Sequence, residues 1–164
     1  MVNRVRLLIF VAVVIPLLVL AAGILVYDST PIASSPNAHF TSFAVGGKTF
    51  ALTYLATNQS ALQKGLMGVK VTASTTELFV FPTAGYYSFW MYGVNSSLDI
   101  MWVYTPPGAN SGSFVYLALG APPCHISVVC TSYEPSSVAD YVIEAKAGFA
   151  AANGIHVGTP VTLH

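Results

Sequence analysis

The chain has 164 residues, 54% of them hydrophobic and only 7% charged, and its six basic and six acidic residues balance to a formal charge of zero. Ordinary soluble proteins carry about 25% charged residues, so Ser, Thr, Asn, Gln and Tyr must wet this surface. Both arginines lie before residue 7, which leaves residues 28–164 with four lysines against six acidic residues, a formal 4 − 6 = −2. A domain without arginine or a basic cluster is excluded as a nucleic-acid or phosphate binder.

Arg4 and Arg6 precede an uncharged run from Leu7 to Tyr27, closed by Asp28. At roughly 1.5 Å per residue that run spans about 30 Å, the hydrocarbon thickness of a bilayer. It is interrupted only by Pro16 and small residues, which membrane helices tolerate. A cleavable signal peptide is the rival reading. Ala21-Ala22-Gly23 offers it only a weak cleavage site, and Ile24, Leu25 and Val26 carry the apolar run past that point. The expectation is a single-pass anchor over residues 7–27 with no chemistry of its own, since it holds no ionisable residue. The positive-inside rule places residues 1–6 in the cytoplasm and everything after Asp28 outside the cell membrane. Residues 28–39, DSTPIASSPNAH, read as a Ser/Pro linker. One reason for so few carboxylates is an acidic exterior, where they would be partly protonated.

Residues 40–164 form one extracytoplasmic domain with a β pattern. Phe43 to Val45, Gly46-Gly47 and Lys48 to Leu55 predict a hairpin, with Phe50, Leu52 and Tyr54 on one face. Asn58 is a good N-cap for a short helix from Gln59 to about Lys64, ended by Gly65. Strands are predicted at Glu77–Phe81, Tyr87–Met91, Leu98–Tyr104, Ser113–Leu119 and Tyr141–Lys146. A short helix over Phe149–Asn153 and a last strand over Val161–His164 complete the order. Many short strands with turn residues between them indicate a mainly β sandwich or barrel with one or two short helices.

Several segments of this region carry a family resemblance. They are Gly65-Leu66-Met67, Leu78-Phe79-Val80-Phe81-Pro82, Phe89-Trp90-Met91 with Leu98-Asp99-Ile100, and Tyr141-Val142-Ile143-Glu144 with Ala147-Gly148. In that order, with Pro123-Cys124, Cys130, Tyr133, Gly154-Ile155 and Gly158, they resemble domain-of-unknown-function family 192 (DUF192). The resemblance runs from about Phe43 to the C-terminus. It implies a compact, jelly-roll-like β fold, exported or membrane-attached, and no established activity. The family pattern has Lys-Asn-Thr where this chain has Tyr92-Gly93-Val94, and Gly-Asp where it has Gly158-Thr159.

Alternation on the predicted strand puts Leu98, Ile100, Trp102 and Tyr104 on one face and Asp99, Met101 and Val103 on the other. A carboxylate among apolar neighbours must be hydrogen-bonded, paired or functional. Asp99 therefore reads either as a ligand-handling carboxylate near Trp90 or as the cap of the Asn95-Ser96-Ser97 turn. Glu144 shares a strand face with Val142 and Lys146, so a local ion pair with Lys146 stands beside a ligand role. Trp90, with Tyr86, Tyr87 and Tyr92 nearby, is an aromatic patch for core filling or for stacking on a ligand, and Trp90 fits either. Trp90, Tyr92, Asp99 and Glu144 are the candidate ligand-binding residues.

Cys124 and Cys130, outside the membrane, are expected to form a disulfide. A metal site from these cysteines and His125 with Met67 or His156 is the alternative, disfavoured because adjacent side chains point apart in extended chain. No metal and no cofactor are expected. Asn58 and Asn95 head glycosylation sequons. No nucleophile elbow, HExxH, phosphate loop or dinucleotide fingerprint occurs. The expectation is a tethered binding module for a small molecule, a sugar or an envelope protein. The alternatives are an accessory subunit of a membrane complex and an enzyme using Asp99 with Glu144.

Overall fold

The computed structural model describes residues 39–164. The predicted anchor, the cytoplasmic N-terminus and nearly all of the linker lie outside the described residues. Among the described residues no helix is long and apolar enough to cross a membrane.

The elements run β1 (Ser42–Val45), β2 (Lys48–Ala51), β3 (Tyr54–Ala56), α1 (Gln59–Lys64), β4 (Thr76–Gly85), β5 (Phe89–Trp90) and β6 (Leu98–Tyr104). They continue with β7 (Ser111–Ala121), β8 (Ser132–Tyr133), β9 (Ala139–Lys146), α2 (Phe149–Ala152) and β10 (Pro160–Leu163). The fold is mainly β with two short helices, as expected. It is not the two packed sheets of a jelly roll. Eight strands make one open sheet in the order β2-β1-β10-β7-β6-β9-β4-β3, and β5 and β8 form a separate two-stranded ribbon.

The predicted two-glycine hairpin is present. Gly46 and Gly47 both have positive φ, which only glycine adopts freely, and the turn pairs Val45 with Lys48. The strand expected to continue to Leu55 breaks instead after Ala51. Leu52 still donates its N–H to Thr41 O at 2.8 Å, while Thr53 donates to Thr76 O at 3.0 Å, across on β4. Thr76 Oγ1 returns a bond of 2.7 Å to Ala51 O. The chain thereby leaves one edge of the sheet and starts the other edge within a few residues, where β3 pairs parallel to β4. Phe50 and Tyr54 consequently belong to opposite edges, and the single face predicted for them does not exist.

β6 lies in the middle of the sheet between β7 and β9 and is buried along nearly its whole length. Both faces are covered, so apolar residues occupy both parities, as in fully buried strands generally. One core gathers Phe43, Met101, Val103, Phe114, Ile143 and Leu163. The other gathers Leu66, Phe79, Leu98, Ile100, Trp102 and Val142. The two parities of β6 fall in these two cores as the alternation predicts. Pro82 sits in β4 where its register with β9 shifts between Val80 and Gly85, a place that spares a residue without an N–H.

Candidate functional site

The site lies on the face of the sheet that carries Phe79 and Trp102. β4 and β9 pair antiparallel with Phe79 opposite Val142, and two residues along each strand Glu77 stands opposite Glu144. Residues two apart on a strand share a face, and directly opposed side chains are neighbours, so the two carboxyl groups are brought side by side. Glu77 is 4% exposed and Glu144 3%. The Oε2 atom of each is buried with no hydrogen-bond partner among the described residues.

Burial and proximity act on both acids. Desolvation raises the Glu77 pKa to about 7, partly opposed by the positive charge of Lys64. Desolvation first, and then the like charge of Glu77, raise the Glu144 pKa to about 8. Near neutrality the pair therefore holds protons that ordinary glutamates would have lost.

Glu144 forms part of the wall of a cavity of about 460 Å³, within the usual range for small-molecule sites. Phe79, Phe81, Phe89, Trp90 and Tyr92 give it aromatic walls, and Lys64 and Gln63 of α1 lie at its border. α1 is placed by its caps: Asn58 Oδ1 accepts from Ala61 N at 3.0 Å, and Gly65 ends the helix with φ +48°. A Cβ at Gly65 would lie 3.2 Å from Phe79 Cζ and 3.7 Å from Glu144 Oε2, so this glycine lets the backbone close over the acid.

The small ribbon and the disulfide adjoin the cavity through Phe89, Trp90 and Tyr92. β5 pairs with β8 through Phe89 opposite Tyr133 and Trp90 opposite Ser132. Tyr92 bridges to Cys124, and Cys124 is bonded to Cys130 as expected. Trp90 is 45% exposed and Tyr92 36%, with ring centroids 5.4 Å apart and planes tilted by 40°. Phe89 and Met91 are buried. Both cysteines being consumed in the disulfide, they supply no thiolate to a metal. Among the described residues no group of three or more His, Cys, Asp and Glu side chains is arranged to hold one.

Of the four residues expected to bind ligand, the structure brings together Trp90, Tyr92 and Glu144. Asp99 is elsewhere. It stands opposite Ala145 on β9, while Glu144 stands opposite Ile100, so the two carboxylates project from opposite faces of the sheet. Asp99 Oδ1 accepts from Gly120 N at 2.9 Å and Oδ2 from Ala150 N at 3.0 Å. It ties β7 and the start of α2 to the central strand, and does not cap the Asn95-Ser96-Ser97 turn. An acid–base pair of Asp99 and Glu144 is therefore ruled out by geometry. The ion pair expected between Glu144 and Lys146 also gives way: Lys146 is exposed, and only burial and Glu77 move the Glu144 pKa. Asn58 and Asn95 are both exposed. Sequence reasoning missed Glu77, Lys64 and Gly65. Strand parity puts Glu77 on the Phe79 face, but only the register reveals its partner.

A model of the DUF192 family, described as "Uncharacterized ACR", matches residues 41–163. The chain belongs to the DUF192 family. No curated protein matches it. Its fold is similar to that of a Sinorhizobium meliloti protein provisionally described as a transcription regulator. That likeness has 23% identity and a TM-score of 0.61 over 74% of this chain and 90% of that one. A protein of unknown function from Novosphingobium aromaticivorans is similar at 23% identity and a TM-score of 0.61, over 79% of this chain and 93% of that one. At such identity these likenesses establish the fold alone. Where this DUF192 chain carries Tyr92-Gly93-Val94, Tyr92 and Val94 lie in the cavity wall. Thr159, at the second departure, is buried away from the cavity and accepts through Oγ1 from His156 N at 3.0 Å.

Proposed function

We propose that residues 40–164 are a small-molecule binding module, carried on the outer face of the cell membrane by the Leu7–Tyr27 segment. One observation carries the reading: a buried carboxyl, Glu144, in the wall of an aromatic cavity has an oxygen without a partner among the described residues. Buried polar atoms are nearly always hydrogen-bonded, and those left over mark places where something else binds or reacts. Tethering is supported by the length of the apolar run and by the arginines before it. The Cys124–Cys130 disulfide favours an oxidising compartment. The regulatory role provisionally ascribed to the Sinorhizobium neighbour is not carried over, since residues 28–164 hold no arginine.

The test is native mass spectrometry of the full chain released from detergent. A retained small mass that disappears in Trp90→Ala supports the reading. A bare protein from native membranes, with Trp90→Ala indistinguishable, refutes it. A second reading, an accessory subunit of a membrane complex, draws on a different observation. Ile126, Val128 and Val129 of the disulfide loop are exposed, Val128 at 89%. Exchanging Leu7–Tyr27 for an unrelated membrane helix abolishes association with neighbours under this second reading, and leaves ligand capture intact under the first.

A further inference from the structure

Resting on that reading, we infer that the ligand of the Glu144 cavity is a monovalent organic cation, a primary ammonium on an aryl or alkyl body. The charges around the site set the sign. Glu144 on β9 lines the cavity, Glu77 stands opposite it on β4 without being part of the cavity wall, and Lys64 of α1 is the cation that acts on Glu77. Lys146 shares their face farther along β9 but is exposed to solvent. Two ionised carboxylates and Lys64 sum to 2 − 1 = 1 negative charge, which one monovalent cation neutralises.

The hydrogen-bonding chemistry agrees. Ionised carboxylates only accept, and Glu144 Oε2, in the cavity wall, lacks a donor among the described residues. An ammonium brings three donors and the charge with them, whereas a sugar hydroxyl brings donors without the charge. The walls then select an organic cation over a bare metal ion. Aromatic faces attract cations and also bury an apolar body. Hard metal ions require six or more oxygen ligands, and the described residues offer no cluster of even three metal-ligating side chains.

In the empty site a proton takes the place of the ligand's charge. At a pH between about 7 and about 8 the two acids hold about one proton between them. Cation binding therefore expels that proton to solvent, as any ligand preferring the ionised form must.

The full chain in detergent is titrated with phenethylammonium, phenethyl alcohol, phenylacetate and methyl glucoside in that pH range. Calorimetry is run in two buffers of different ionisation heat. Expected are binding of phenethylammonium with release of about one proton per ligand, and binding of the three other probes at least about tenfold weaker. Glu144→Gln, which keeps the shape of the side chain, loses at least about tenfold in phenethylammonium affinity and the proton release with it. The proton count on the unaltered protein stands even if that variant fails to fold. Equal binding of the alcohol or the glucoside, or binding without proton release, overturns the cation inference while leaving the cavity a ligand site. Failure of all four probes, together with a bare native mass spectrum, overturns both.

Discussion

The two faces of the central sheet treat a buried carboxylate in opposite ways. On one face, Asp99 is held by two backbone N–H groups, from Gly120 and Ala150, and so ties the sheet to the start of α2. On the other, one residue along the paired strand, Glu144 has a buried oxygen that no group among the described residues satisfies, and its neighbour on the adjacent strand is a second acid. Burial is nearly the same, 2% exposure for Asp99 and 3% for Glu144. Burial by itself therefore does not distinguish the two acids; the satisfaction of their oxygens does. Asp99 stabilises the fold, whereas the Glu77–Glu144 pair weakens it once ionised.

The largest expected effect in this comparison comes from Asp99. Asp99→Ala strands the buried N–H of Ala150 and the part-buried N–H of Gly120, and at roughly 1–3 kcal/mol for each unsatisfied group the loss should be about 3 kcal/mol in a urea titration. A loss below about 1 kcal/mol would break the contrast between the two faces. Next is the Cys124–Cys130 staple, which closes a short loop beside the cavity. Replacing both cysteines by serine should cost about 2 kcal/mol on the loop-entropy model, and should weaken capture further by loosening Trp90 and Tyr92.

The pH dependence is the finest test. The folded pKa values of Glu77 and Glu144, about 7 and about 8, lie above the ordinary 4.5. The folded state thus binds more protons than the unfolded state between 4.5 and about 8. Stability contributed by the protonated pair is fully present below 4.5 and is lost as pH rises through about 8. The melting temperature of the full chain should fall across that window, and the decline should flatten in the Glu77→Gln/Glu144→Gln double variant. An equal decline in that variant would show that other groups set the slope.

Much of this was legible in the residues. The Gly46-Gly47 hairpin, α1 between Asn58 and Gly65, β6 at Leu98–Tyr104 and the family resemblance were readable because each rests on neighbouring residues: a turn's φ, a cap, a period of two. The same period placed Asp99 and Glu144 each on a definite face of its own strand. What it could not supply was which strands pair and in what register, because pairing joins distant segments through backbone groups that every residue possesses. The break after Ala51 is one example, since nothing local marks the residue at which the chain crosses to the other edge of the sheet. The candidate site is the other. Glu144, Trp90 and Tyr92 were recognisable by residue type, but only the tertiary structure decided that Glu77 would stand beside Glu144, that Gly65 would close over Glu144, and that Asp99 would face the other way.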